Sequence, residues 1–294
     1  GIPYDSKRKL IVLLRGDRLR TYSTKRKEWK TLAPPPRKVG APGFSYDSRN
    51  DVYLATTSRK GEKTAATLIY EPKTDKWKEL AGSSLPAGSR WSSVTYAPRH
   101  DVFVFQGGTW KESKWLLLRY ARLAEKSRPS SATTRAAKPA SPSATAGTSL
   151  AGERFAVNPD LVALGDKTWK KMNPRFVHHP DQLTMLEKKG WKLEDLHRKP
   201  GGQFCHYKGE TSFCYDESAN VTLFFGGCTS GYGNNHWVYD CSKNVWTQIH
   251  PDIFKLKKKG KVTWRYREDT RSHPPGFCSY GICYDSNRKV SVIA

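Results

Sequence analysis

Eight histidines, fourteen tyrosines and six cysteines equip this 294-residue chain to move protons, stack on rings or hold a metal. His178-His179 follows closely on Arg175, and "CTSGYGNNH", residues 228–236, holds Tyr232 at its middle and His236 at its end. Imidazole accepts a proton near neutral pH. Beside a guanidinium that neutralises a carboxylate, an imidazole or phenol is suited to remove the proton α to that carboxylate. His178, His179, Tyr232 and His236 are therefore the candidate catalytic residues. Each has a plainer reading. His178-His179 fits the approach to a helix capped by Asp181, His236 fits packing beside Trp237, and Tyr232 fits a turn between glycines. The run "KLKKKGKVTWRYR", residues 255–267, interleaves cations with aromatic rings, a pattern that binds polyanions or is simply a solvated basic loop. Lys257, Lys258, Lys259, Trp264, Arg265 and Arg267, with Arg175, make the candidate ligand-binding set.

The cysteines are clustered, all between Cys205 and Cys283. Cys205, His206, Cys228 and Cys278 offer one imidazole and three thiolates, a set suited to tetrahedral structural zinc. Their spacing is no CxxC pair. A Cys228–Cys278 disulfide and free thiols are the alternatives.

The elements that must position these residues come from a repeat. Tyr22/Trp29, Tyr70/Trp77 and Tyr239/Trp246 are each seven apart. Upstream of each lies a second anchor: "YDSKRKLIVLL" at Tyr4, "YDSRNDVYLAT" at Tyr46 and "YDESANVTLFF" at Tyr215. "YAPRHDVFVFQGG" at Tyr96 and "YDSNRKVSVIA" at Tyr284 complete five copies. Each reads as four strands: a ends at the Tyr-Asp anchor, b is a β-branched and aromatic run, c carries the Tyr of the pair, and d begins at the Trp. Gly107-Gly108 and Gly226-Gly227 close strand b with backbone freedom.

These features resemble the kelch repeat family of β-propellers, and the resemblance covers nearly the whole chain outside its insertions. It implies an all-β, kelch-type propeller of four-stranded blades, about four blades and the start of a fifth, over a single domain, 1–294. Copies one and two depart from the pattern, with Arg15-Gly16 and Thr56-Thr57 in place of Gly-Gly. The anchors are 42, 50, 119 and 69 residues apart, against roughly 40–50 for a plain blade. Copy three has no Trp seven after Tyr120, so "DKTWKKM" is expected to supply its strand d at Trp169, after a low-complexity insertion at 124–152. Loop insertions are expected at 174–210, with a short helix, and at 252–275. The chain is expected to be incomplete at both ends, a fragment of a six- or seven-bladed ring.

In such blades the b–c and d–a loops share one face. That face gathers the two loop insertions, "CTSGYGNNH" and seven of the eight histidines, with only His100 elsewhere. Cys214 and Cys283 precede equivalent anchors and are expected to pack between blades, close enough to couple, while Cys241 falls on the far face. The formal net charge of +24 points to polyanionic partners, although a basic proteome or solubility would also account for it. The leading expectation is recognition of an anionic polymer, most simply a polysaccharide, on the insertion-bearing face. The alternatives are a uronate-cleaving polysaccharide lyase, since the chain resembles propeller lyases such as the ulvan lyases in repeat type and His-rich insertions, and a protein-interaction propeller. Nucleic acid is a fourth option. No run of eighteen apolar residues occurs, so no membrane span is expected. A secreted or periplasmic setting is slightly favoured.

Overall fold

A computed structural model of the chain describes residues 2–39, 43–57, 64–81, 85–86, 93–109, 112–120, 158, 161, 163–188, 190, 212–225, 236–250, 282–285 and 288–293. Blade one is the antiparallel sheet β1 (Tyr4–Asp5), β2 (Leu10–Arg15), β3 (Arg18–Ser23), β4 (Glu28–Thr31). Blade two is β5 (Phe44–Asp47), β6 (Val52–Thr57), β7 (Thr64–Glu71), β8 (Lys76–Glu79), with β9 (Leu85–Pro86) also pairing β7. Blade three is β10 (Ser93–Ala97), β11 (Val102–Thr109), β12 (Glu112–Leu118), β13 (Lys170–Met172). The last of these joins from far along the chain, placing Met172 opposite Trp115.

Blade four has five strands. β15 (Ser212–Asp216), β16 (Val221–Phe225), β17 (His236–Asp240) and β18 (Val245–His250) form the repeat unit, and β14 (Arg175–Val177) adds to the outer edge, parallel to β18. β19 (Ile282–Asp285) and β20 (Val290–Ile293) pair as the start of a fifth blade. The innermost strands lie side by side in order, β5 against β10, β10 against β15 and β15 against β19. Successive meanders with their first strands adjacent are the arrangement of a β-propeller.

The repeat residues have two jobs. The first is to close turns. Lys9, Lys27, Asp51, Asp75, Asp101, Asn220, Asn244 and Lys289 all have positive φ, and each stands five residues after an anchor or pair tyrosine. Asp and Asn tolerate this left-handed conformation best, and there the tyrosine hydroxyl donates to the side chain: Tyr46 to Asp51 at 2.9 Å, Tyr96 to Asp101 at 2.7 Å, Tyr239 to Asn244 at 2.9 Å, and likewise Tyr70 to Asp75 and Tyr215 to Asn220. The Asp after the tyrosine accepts the next backbone N–H groups, as Asp47 does from Arg49 and Asn50. This is the side-chain mimic of a turn that Asp supplies readily.

The second job is to join blades. Tyr22, Tyr70 and Tyr239 face Trp29, Trp77 and Trp246 directly across strands c and d, with ring centroids 5.1, 5.1 and 4.9 Å apart. The cores lie between sheets. Val12, Leu14 and Leu19 of blade one meet Phe44, Tyr53 and Tyr70 of blade two, and Trp115 of blade three meets Trp246 of blade four at 4.5 Å. Polar staples cross the same seams. Arg8 donates to Asp5 at 2.8 Å and twice to Asp51 at 2.7 and 2.8 Å, while Tyr53 donates to Asp5. The Arg8 guanidinium holds the Asp51 carboxyl down at about 2. Trp169 does supply part of the blade two–three seam: its indole N–H donates to Thr67 at 2.8 Å and its ring meets Phe105 at 5.4 Å.

Two expectations change. The stretch from 174 does not open as a loop, because Arg175–Val177 continues as β14 and seals the rim of blade four. Its helix is short, α1 (Pro180–Glu187). Cys214 is buried among Leu223, Phe225 and Ile282, as a small apolar residue should be, but Cys283 is exposed, and the two are not joined as a disulfide. The insertion at 124–152 and that at 252–275 lie outside the described residues.

Candidate functional site

The site is built at one end of blade four. β18 runs to this end and stops at His250, β17 starts there at His236, and β14 runs parallel to β18 and delivers His178 and His179 to it. The chain leaves β14 at the rim and re-enters at β15 on the axis, four strand spacings or about 19 Å away. The connection 178–211 therefore starts and ends at the same end of the blade.

His236 and His250 are opposite each other in register, and the ladder slips between His236 and Trp237. A bulge of this kind re-aims a side chain at the edge of a sheet. The His236 ring stands edge-on to Phe225 at 5.7 Å. Its Nε2 is buried with no hydrogen-bond partner among the described residues. Desolvation, with repulsion from His250, lowers its pKa to about 4, so the ring is neutral at pH 7. Burial penalises the charged form, and no acidic group among the described residues offsets the penalty.

His178 packs edge-on against Trp237 at 5.3 Å, beside Phe176 at 6.2 Å from the same indole. His179 has a structural task. Its backbone N–H donates to Gln248 Oε1 at 3.2 Å, and its Nδ1 accepts the Asp181 N–H at 3.2 Å, capping α1 just before Pro180. Proline suits the first helical position, and the cap satisfies an N–H that the helix leaves open. The cap is thus His179 and not Asp181, which lies in the first turn. The 3.7 Å approach of His179 Nδ1 to Asp181 Oδ2 is an ion pair only if the ring is protonated. Gln248, buried in β18, was not singled out by sequence reasoning. A lone polar residue in "VWTQIH" carries no local signal.

Arg175 is exposed at the start of β14, with its backbone N–H on the Asn244 carbonyl at 3.0 Å. Register places it opposite Val245, at the far end of the strand from His178 and His179, so it does not join the histidines. Among the described residues the structure thus gathers His178, His179, His236 and His250, and separates Arg175 from them. No group of three or more potential metal ligands occurs among the described residues. Tyr232, Lys257, Lys258, Lys259, Trp264, Arg265 and Arg267, and the candidate zinc ligands Cys205, His206, Cys228 and Cys278, lie outside them.

On the opposite face, His100 lies near Asp240 and Arg99, with its pKa lowered by burial. Cys241 is buried there, and burial pushes its thiol up to about 12, so it is an inert packing residue. A cationic, aromatic flank on blade one, Arg15, Arg18, Arg20, Tyr22 and Trp29, was not selected from the sequence as a site. Its signal is the alternation of "RGDRLRTY", which puts Arg18, Arg20 and Tyr22 at alternate positions of β3.

No family model matches the chain, and no curated protein matches it. Among solved structures, a chain in the crystal structure of a nidogen/laminin complex aligns over 97% of this chain and 68% of its own length, at 6% identity and a TM-score of 0.48. TolB from Acinetobacter baumannii aligns over 85% of this chain and 43% of its own length, at 10% identity and a TM-score of 0.44. The assignment of a propeller rests on the strand order above, and fold alone leaves activity open. No described helix is long and apolar enough to cross a membrane.

Proposed function

We propose that the chain is a kelch-type recognition propeller that holds an anionic polymer, most simply a polysaccharide bearing carboxylates or sulfates. The kelch reading rests on Gly107-Gly108, Gly226-Gly227 and the three Tyr–Trp pairs. The observation that carries the ligand class is the net charge of +24 on a rigid blade array. A field of that sign concentrates polyanions at the surface and speeds their capture. On the insertion-bearing end, Lys257, Lys258, Lys259, Arg265 and Arg267 would supply cations, and Trp264 and Tyr232 stacking rings. His178, His236 and His250 form its polar floor. A structural zinc on Cys205, His206, Cys228 and Cys278 would tie these loops to blades four and five.

Lyase chemistry is less well supported. A His236 held near pKa 4 is a feeble base, and His179 is committed to capping. The test is binding of the purified chain to polygalacturonate, heparin and neutral dextran at low and high salt. Tight, salt-sensitive binding to the acidic polymers alone is expected. Equal binding to dextran, or none to either acidic polymer, refutes the reading. Accumulation of an ultraviolet-absorbing unsaturated uronate would instead make the chain a lyase.

A further inference from the structure

The a–b turns repeat one charged joint from blade to blade, and one interior seam lacks its negative half. The turns read "DSKRK" after Tyr4, "DSRND" after Tyr46, "APRHD" after Tyr96 and "DESAN" after Tyr215. At the first seam Arg8 donates to Asp5 of its own turn and to Asp51 of the next blade. At the second seam Arg49 approaches Asp101 of the next blade at 3.5 Å, and Tyr96 is hydrogen-bonded to Asp47 as well as to Asp101. Each of these seams carries one guanidinium and two carboxylates.

Between blades three and four the guanidinium is kept and both carboxylates are gone. Ala97 stands in the position of Asp5 and Asp47, and Asn220 in that of Asp51 and Asp101. Arg99, in the position of Arg49, has no ion pair among the described residues. Its backbone still crosses the seam and hydrogen-bonds the Tyr215 hydroxyl, which donates in turn to Asn220 Oδ1. The amide nitrogen of Asn220 is a donor where the earlier seams offer a second acceptor oxygen. His100 is affected by the same exchange. Its position matches Arg8, Asn50 and Arg288, whose side chains donate to the Asp of their own turn at 2.8, 2.7 and 3.0 Å. In blade three that Asp is Ala97, and the buried His100 Nε2 has no hydrogen-bond partner among the described residues. Asp240, which acts on His100 through space, is itself engaged by Ser242 and, at 2.9 Å, by Lys243.

A buried polar atom without a partner is costly, and a guanidinium, an amide and an imidazole at one seam make the donor set of an anion site. We infer that the turn end of the blade three–four seam binds a small oxyanion, a carboxylate or a phosphate, in place of the missing aspartates. The Arg99 guanidinium can give such a group two parallel N–H bonds, and Asn220 and His100 supply further donors. The bound ion joins blade three to blade four as Asp51 and Asp101 join their neighbours, so it stabilises the fold. The site lies at the opposite end from the insertion-bearing loops and does not rest on the polymer reading.

Thermal unfolding of the full chain in sodium phosphate, sodium acetate and sodium chloride of matched ionic strength tests the site. Matching is needed because screening alone raises the Tm of a chain with a net charge of +24. A saturating oxyanion should raise Tm by about 2 °C or more over chloride, and whichever of phosphate and acetate does so names the preferred class. Arg99→Gln should lose that increment. Asn220→Asp restores a carboxylate at a φ of 58°, which Asp tolerates. It should raise Tm in chloride and abolish the response to oxyanion, because the place is taken. In heteronuclear NMR the His100 ring resonances should move with added oxyanion and stay still in Arg99→Gln. A Tm increment undiminished in Arg99→Gln and in Asn220→Asp would put the ion elsewhere and overturn the site. So would a wild-type Tm in phosphate and acetate equal to that in chloride, with the His100 resonances unmoved.

Discussion

At the mouth of blade four, desolvation and the neighbouring His250 keep the His236 imidazole uncharged down to about pH 4, whereas an unfolded chain takes up the proton near pH 6.5. The folded pKa is the lower one, so protons favour unfolding. The stabilising contribution of the neutral ring is complete above about pH 6.5 and is lost as pH falls towards 4, by up to about 3 kcal/mol. His236→Phe, which can keep the edge-on packing on Phe225, should lose less Tm than the wild type between pH 7 and about 4.5. Parallel pH profiles would show that the buried imidazole is not the group responsible. The residue types at this site were legible in the sequence, since a histidine pair and a Gly-rich loop ending in histidine stand out from the repeat. Their roles were not. That His179 caps a helix depends on where α1 starts, and that His236 is desolvated depends on Phe225 and His250 arriving from other strands.

At the scale of the element, the repeat is a turn device and a seam. Asp51 shows both, since it takes Tyr46 within its own turn and Arg8 from the neighbouring blade. Asp51→Asn keeps a residue tolerant of positive φ and an acceptor for Tyr46, and should cost about 1–2 kcal/mol. Asp51→Ala strains the turn and strands the half-buried guanidinium, and should cost about 2–4 kcal/mol, read from denaturant midpoints. Equal costs would mean the charged staple matters and the turn does not. The Tyr–Trp pair makes a sharper contrast. Trp246→Ala should cost about 3–5 kcal/mol because its ring lies inside the blade three–four seam, whereas Trp29→Ala should stay within about 1 kcal/mol. The sequence presents these two tryptophans as the same residue in two copies, because a repeat fixes register and says nothing about neighbours. For the same reason it yielded β13 across a long interruption, where Trp169 matches the pattern. It missed β14, since "RFV" is too short to carry a period and pairs only because β18 has an open edge.

At the scale of the molecule, the charge and the blades are separate properties. The apolar seams hold the array together, and the basic surface costs some stability through self-repulsion, which salt relieves. Raising salt should therefore weaken polyanion binding while holding or raising Tm. A fall in both would place essential ion pairs in the scaffold. Net charge is legible in the sequence but its placement is not, because placement follows from which strand face each blade turns outward.

The added strand β14 has one more consequence. The outermost strand of a blade ordinarily presents half its amides to water, and such edges exchange hydrogen early. In blade four those of β18 opposite β14 are tied inside a five-stranded sheet. In deuterium labelling, β4 and β8 should take up label early and β18 late, so that the ordinary rim-first order of exchange is reversed in one blade. The strand that closes this rim is drawn from the stretch of chain that precedes the blade. Slow labelling at β18 would therefore be a clock for release of that segment, since the edge can be opened without unfolding any of the four strands behind it.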